Sequence, residues 1–235
     1  MTSQTHGQDH HGSGSTGTDG VQDVDAVVAE MMRQEFWDAR YAGEGLAWSG
    51  DPNPQLVAEV ADLEPGRALD VGCGEGGDAV WLARRGWDVT AADLSPLALV
   101  KVEAVAAAAG VGDRVRTLHL DAVAQAPEPA AYDLVSAAFL HLPPEPRAAA
   151  IAGLAAAVAP GGTLLWVAHS PLDLALPGHG PRPPQLMPTE TEVAAALDPQ
   201  AWSLEVVEAR PRTRTGEDGT EVLHHDVVVR ARRTG

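Results

Sequence analysis

Four glycines, Gly72, Gly74, Gly76 and Gly77, follow directly on a short apolar run that carries Asp70. Without Cβ atoms such a turn lets a ligand approach the main chain, and the free N–H groups of a following helix point at the same place. Asp93 closes the next apolar run. There a carboxylate can accept both hydrogen bonds of a ribose diol, so the pattern suits a nucleoside-bearing ligand. Two histidines, His141 and His169, each end a later apolar run. Imidazoles titrate near neutrality, which makes both candidates for a general base acting on a second reactant.

The elements that must hold these residues can be read from periodicity. Residues 68–71 and 89–92 are short buried strands on either side of the glycine turn and an amphipathic helix over 78–85, which makes one βαβ unit. A helix over 54–63 and the Pro65-Gly66 turn precede it. After Asp93, Ser95 caps a helix that opens on Pro96 and runs to about residue 109. Residues 114–120 form a third strand that exits at Asp121-Ala122, where Asp121 is either a ligand contact or a turn former. A fourth strand starts at Tyr132, and a helix over 146–158, a Pro160-Gly161-Gly162 turn and a fifth strand over 163–168 follow. Open α/β sheets bind ligands beyond the carboxyl ends of their strands, so Ala138, Phe139 and His141 are expected to line a crevice, with His169 at its edge. The proline-rich residues 171–188 can form neither helix nor central strand and are expected to supply a second wall. Thr189 and Glu192 form a capping box for a helix over 189–197, and strands over 202–209 and 222–231 pair across 216–219. His224 and His225 lie in the last strand, one expected on each face of the sheet. The fold expected is α/β and Rossmann-like: a seven-stranded, mainly parallel sheet with helices on both faces and an antiparallel C-terminal hairpin.

Ahead of this domain, residues 1–22 are rich in Gly, Ser, Thr, Asp and His, with His6, His10 and His11 among them. That composition predicts a disordered tail rather than a metal site. A helix of about four turns follows, with Asp23 or Asp25 as its cap and Val24, Val27, Val28, Met31, Met32 and Phe36 at helical spacing. From Phe36 to Pro54, three aromatics, Trp37, Tyr41 and Trp48, sit among glycines and prolines, where regular structure is not expected. Two readings fit. Residues 23–55 either fold over the bound ligand as a lid that excludes water, or staple an N-terminal helix to the sheet.

Composition sets the outer limits. The 235 residues suffice for one α/β domain, here residues 56–235, and a short appendage. A formal net charge of −17, with Lys101 the sole lysine, argues against nucleic acid as principal substrate. One cysteine, Cys73, excludes a disulfide framework, and no apolar run approaches the roughly 20 residues of a membrane span. No secretory leader is visible, and the cytoplasm is the expected compartment.

The spacing Gly72-x-Gly74-x-x-Gly77 by itself also satisfies the dinucleotide fingerprint of NAD enzymes. Asp70 separates the two readings, because a carboxylate there suits a ligand bearing an ammonium and a sulfonium and repels a pyrophosphate. Asp70-Val71-Gly72-Cys73-Gly74-Glu75-Gly76 resembles the first motif of class I S-adenosylmethionine-dependent methyltransferases. Asp93 is similar to their second-strand ribose acid, and the Ala-Pro-Gly-Gly turn at 159–162 is similar to theirs. The Trp37-Asp-x-Arg-Tyr41…Trp48 segment resembles that of the thiopurine and tellurite-resistance type of small-molecule methyltransferase. The resemblance implies S-adenosylmethionine as cofactor, held by Trp37, Asp70, Gly72, Cys73, Gly74, Gly76, Asp93, Leu94, Asp121, Ala122 and Ala138. It implies Tyr41, Trp48, Phe139 and His141 around a small-molecule acceptor, no resident metal, and in-line methyl transfer without a covalent enzyme intermediate. Many relatives carry a longer polar or acidic residue near position 138, where this chain has Ala138. An NAD-dependent oxidoreductase and a non-catalytic cofactor-binding module are the alternatives, and the resemblance does not choose the acceptor.

Overall fold

A computed structural model of the chain describes residues 24–175, 183–215 and 221–235. The tail with His6, His10 and His11 and the 216–219 connection lie outside the described residues.

Seven strands form one sheet: β1 (Arg67–Val71), β2 (Asp88–Asp93), β3 (Val115–His119), β4 (Tyr132–Ala138), β5 (Val158–His169), β6 (Trp202–Thr215) and β7 (Glu221–Arg233). Their order is β3-β2-β1-β4-β5-β7-β6. The first five pair in parallel, and the β6–β7 hairpin pairs antiparallel along β5. Strand order therefore reverses between β1 and β4, which puts the switch-point crevice beside the glycine turn, as expected.

The central strands are buried on both faces, and the two sides of their pleat feed two cores. Leu69, Val71, Val135, Leu164 and Trp166 pack with Ile151 and Leu154 of α6 (Pro144–Ala157) and with Val193 of α7 (Glu190–Ala195). On the opposite face Ala68, Val89, Ala91, Leu134 and Leu165 meet three helices. These are α3 (Pro54–Val60), through Leu56 and Val60, α4 (Gly77–Arg84), through Ala79 and Leu82, and α5 (Pro96–Ala108), through Val102. Burying an aliphatic side chain of this size contributes about 1.5–3 kcal/mol, so the two clusters dominate the stability of the sheet. The caps expected at Ser95 and Thr189 are present, whereas Asp23 lies outside the described residues. Ser95 Oγ accepts from Ala98 N at 3.3 Å, and Thr189 and Glu192 close a capping box.

Three expectations need correction. The single N-terminal helix is two, α1 (Val24–Met31) and α2 (Gln34–Tyr41). The break comes at Arg33, whose extended φ of −103° and ψ of 144° starts α2, while the Trp37 indole donates to Met31 O at 2.8 Å in place of a continuing helical N–H. Trp37 and Tyr41 consequently stand on a helix, not in irregular chain. The turn expected before β5 is an excursion within that strand: pairing jumps from Tyr132↔Val158 to Leu134↔Thr163, and Gly161 takes a left-handed φ of 78°.

Candidate active site

The glycine turn is held from below by β2. Gly72 and Cys73 donate their N–H groups to Ala92 O at 2.8 and 3.1 Å, and Gly74 donates to Asp93 Oδ2 at 2.9 Å. Gly74 and Gly76 sit at left-handed φ of 51° and 89°, a backbone path that glycine adopts without strain. The other oxygen of Asp93 accepts from Ser95 N at 2.9 Å. Each carboxylate oxygen carries two lone pairs, so Asp93 fixes the turn and keeps acceptor capacity toward the cavity that it lines.

Three acids surround this turn without a compensating lysine or arginine paired to any of them among the described residues. Asp93 is pushed above the usual carboxylate range by burial. Asp78, in the first turn of α4, is raised to about 6 by burial, although Asn53 N donates to it. Asp70 is raised well above that range, chiefly by burial and then by the charges of Asp78 and Asp93. Its Oδ1 accepts from Ser136 Oγ at 3.3 Å, whereas its buried Oδ2 has no hydrogen-bond partner among the described residues. Buried carboxylates at this density lack only a cation. A ligand with sulfonium and ammonium charges fits that need, and a pyrophosphate does not.

The 42–53 segment lies directly over the turn. Glu75, 4% exposed, accepts from Ala47 N and Trp48 N at 2.9 and 3.0 Å and from Lys101 Nζ at 2.8 Å. Lys101 in turn donates to Gly45 O at 2.6 Å. A Cβ on Gly77 would stand 2.7 Å from Asp51 O, and one on Gly74 3.1 Å from the Tyr41 hydroxyl. Trp48 Nε1 donates to that hydroxyl at 3.3 Å, and Arg40 stacks over the Trp48 ring at 4.5 Å. Tyr41 is buried, which raises its phenol well above the usual range. Ser95 Oγ donates to Asp38 at 2.5 Å, docking α2 on the start of α5. The segment thus has the contacts of a lid, fixed by polar bonds from Glu75 and Lys101 rather than by aromatic packing alone. Those two residues escaped sequence reasoning. The one signal was that Glu75 is the only charged residue inside the glycine turn.

A single cavity of about 540 Å³ runs from the turn to the far end of β4 and β5. Of the residues expected around cofactor and acceptor, Trp37, Tyr41, Trp48, Gly72, Cys73, Gly74, Asp93, Leu94, Asp121, Ala122, Ala138, Phe139, His141 and His169 all line it. Two do not. Asp70 and Gly76 lie behind the wall, because Asp70 points into the sheet toward Ser136 and Gly76 backs onto Val102 of α5. Asp70 therefore has no direct contact with the cavity. Cys73, a small wall residue, has its thiol raised well above the usual range by burial.

At the far end, Phe139 leaves β4 with a left-handed φ of 56°, a strained geometry for a side chain of its bulk. Its ring stacks on His169 at 4.3 Å, and His141 lies 5.5 Å from His169. The lining also includes Met31 at the end of α1, Met32 just after it and Arg212 of β6, none of them anticipated. None of residues 171–175 and 183–188 of the proline-rich segment lines the cavity, so its described part does not form the expected second wall. His224 and His225 do not simply straddle the sheet. His224 Nδ1 and His225 Nδ1 approach the same buried carboxylate, Asp173, at 3.5 and 2.9 Å.

Sheet order and glycine turn are those of a doubly wound α/β domain. Residues 68–162 match the family described as "Methyltransferase domain". The chain is 31% identical over 150 residues to a ubiquinone biosynthesis O-methyltransferase of Alkalilimnicola ehrlichii, an alignment covering 62% of this chain and 59% of that protein. Among solved structures, it resembles the protein studied in the conversion of a disulfide bond into a thioacetal group during echinomycin biosynthesis. The TM-score is 0.69 and the identity 26%, over 86% of this chain and 91% of that one. It shares its fold with TehB from Haemophilus influenzae at TM-score 0.62 and 20% identity, over 86% and 67% of the two chains. Residues 68–162 thus carry a methyltransferase domain, and the chain as a whole is similar to S-adenosylmethionine-dependent methyltransferases.

Proposed function

We propose that the chain transfers a methyl group from S-adenosylmethionine to a small-molecule acceptor by direct in-line displacement. When bound, that cofactor supplies an electrophilic methyl carbon on a sulfonium. The observation that carries the reading is the set of buried, uncompensated acids, Asp70, Asp78 and Asp93, around a glycine turn that opens into a cavity long enough for a second reactant.

The work of the protein is then to hold, align and dry the reactants. Gly72, Cys73 and Gly74 offer backbone to the cofactor, Asp93 takes the ribose diol, and Leu94, Asp121 and Ala122 flank the base. The charges of Asp70 and Asp78 favour a cationic ligand and disfavour the pyrophosphate of a nicotinamide dinucleotide. Tyr41 and Trp48, held down by Glu75, exclude water over the turn. Phe139 and the apolar wall around Met31 and Met32 receive the acceptor. His141 and His169, side by side at the exit of β4 and β5, take the proton of an acceptor that must lose one. The curated O-methyltransferase relative supports a small organic acceptor. The net charge of −17 disfavours a nucleic acid, and the lone cysteine is consistent with a cytoplasmic setting.

Calorimetric titration with S-adenosylmethionine and S-adenosylhomocysteine tests the binding step. Micromolar affinity for both is expected. An acceptor panel followed by release of S-adenosylhomocysteine tests turnover, and binding without any turnover would favour the non-catalytic module.

A further inference from the structure

The cavity is polarised along its length. Asp78 and Asp93 line the end at the glycine turn, whereas Arg212 is the only lysine or arginine on the wall among the described residues. It stands at the opposite end, with its guanidinium carbon 5.9 Å from the ring centre of Phe139, which itself stacks on His169.

Arg212 is fixed from behind. Its Nε donates to Asp226 Oδ2 at 2.7 Å and its Nη2 to Asp226 Oδ1 at 3.2 Å. Asp226 is fully buried and also accepts from Gln55 Nε2 at 3.2 Å, so neither partner is free to turn away. An arginine paired to a buried acid is ordinarily a structural feature only. Here the acid occupies one edge of the guanidinium fork. The second edge, formed by Nη1 and the remaining hydrogen of Nη2, belongs to a residue of the cavity wall, and Nη1 has no hydrogen-bond partner among the described residues. A planar fork with one edge anchored and one edge open matches the two oxygens of a carboxylate. The neighbour that the guanidinium faces on this wall, Phe139, is apolar, as are Met31, Met32 and Leu142 elsewhere on the lining.

The geometry points to Arg212 as the acceptor-recognition residue and to an acceptor that is a small apolar molecule carrying a carboxylate, which Arg212 grips as a handle remote from the methylated atom. This deepens the methyltransferase reading and rests on it. The Arg212–Asp226 pair is formally neutral, so the attraction is local to the open edge. Its expected size is that of one charge-assisted contact, about tenfold or more in affinity. Anchoring one end of the acceptor there also limits how its nucleophile can lie against the glycine turn.

Matched pairs of probes test the assignment: benzoate and benzamide, 2-naphthoate and 2-naphthamide, indole-3-acetate and indole-3-acetamide. Each is titrated into the full chain saturated with S-adenosylhomocysteine. In at least one pair the acid binds about tenfold or more tighter than its amide, and Arg212→Gln abolishes that preference with S-adenosylhomocysteine affinity unchanged. Because Arg212→Gln leaves the buried Asp226 uncompensated, the double variant Arg212→Gln/Asp226→Asn is measured beside it and behaves likewise. Arg212→Lys, which keeps the charge and loses the fork, loses most of the preference. The assignment is overturned if no acid binds at millimolar concentration, if acids and amides bind alike in every pair, or if the preference survives in both Gln variants. Failure of the underlying methyltransferase reading is separately visible, since the protein would then not bind S-adenosylhomocysteine before any probe is added, and both readings would fall.

Discussion

Glu75 and Trp48, 27 residues apart, are joined by a 3.0 Å hydrogen bond from the Trp48 backbone to the Glu75 carboxylate, which ties the covering segment to the turn that it covers. Burial alone would raise the Glu75 carboxyl. The hydrogen bonds from Lys101, Ala47 and Trp48 outweigh burial and hold it below its usual value. The covering segment and the glycine turn are therefore one polar unit. Glu75→Ala leaves two backbone donors and the Lys101 ammonium without their acceptor. It is expected to cost about 2–3 kcal/mol in urea denaturation and to expose residues 42–53 to limited proteolysis. Glu75→Gln, which keeps an acceptor, is expected to lose less.

Gly77 carries a steric version of the same contact. Ala at this position would place its Cβ 2.7 Å from the Asp51 carbonyl, a backbone atom that can yield only by moving the segment. Gly77→Ala is expected to cost about 1–3 kcal/mol in urea denaturation and to weaken S-adenosylhomocysteine binding, read by calorimetry.

Asp78 gives a pH dependence whose sign follows from its burial. Its folded value, about 6, lies above the ordinary 3.8, so the ionised form is the one that folding disfavours. Its contribution to stability is fully present below pH 3.8 and is lost as pH rises through about 6. Asp78→Asn, which keeps an acceptor for Asn53 N, should therefore make the ligand-free protein more stable than wild type at pH 8, by up to about 3 kcal/mol. Urea denaturation at pH 8 and at pH 4 checks this, with the advantage disappearing at the lower pH. Ligand-saturated wild type should close the gap at pH 8, because a cationic ligand compensates Asp78 and has less to gain in the variant.

Asp93 has two roles, and two substitutions separate them. Asp93→Ala removes the acceptor for Gly74 N and Ser95 N together with the ribose-position carboxylate, so both stability and cofactor affinity fall. Asp93→Asn keeps an oxygen for one of those donors, and its affinity loss should exceed its stability loss. Cofactor affinity retained in Asp93→Ala would count heavily against the site assignment.

The histidine pair predicts a difference between acceptors. For acceptors that must lose a proton, the double variant His141→Gln/His169→Gln should lower kcat by about 10²–10⁴. Acceptors already ionised at the assay pH should be methylated nearly as fast as by wild type. Equal losses for both kinds would assign the imidazoles to packing.

Much of this protein was legible in one dimension because its information is local. The βαβ unit, the glycine turn, Asp93 at the end of β2, and the caps at Ser95 and Thr189 each depend on residues within a few positions of one another, where periodicity, glycine spacing and capping chemistry act directly. Switch-point topology then carries Ala138, Phe139, His141 and His169 to the same crevice, since parallel strands joined by helices leave few alternatives. Residues 32–41 were misread for a reason equally physical. Their helix is interrupted by a side-chain bond from Trp37 and buries Tyr41 against an element more than 30 residues on, and no local propensity reports either contact.

The sequence by itself determined the glycine turn and the acid that closes β2, because backbone freedom and strand-end position belong to short segments. Only the tertiary structure decided that Asp70 stands behind the wall, that Glu75 and Lys101 fasten the lid, and that Arg212 enters the far end of the cavity. Burial and pairing depend on what arrives from elsewhere in the chain. Asp226 bonds both Arg212 and Gln55, the latter 171 residues away, only after the hairpin has closed on the sheet.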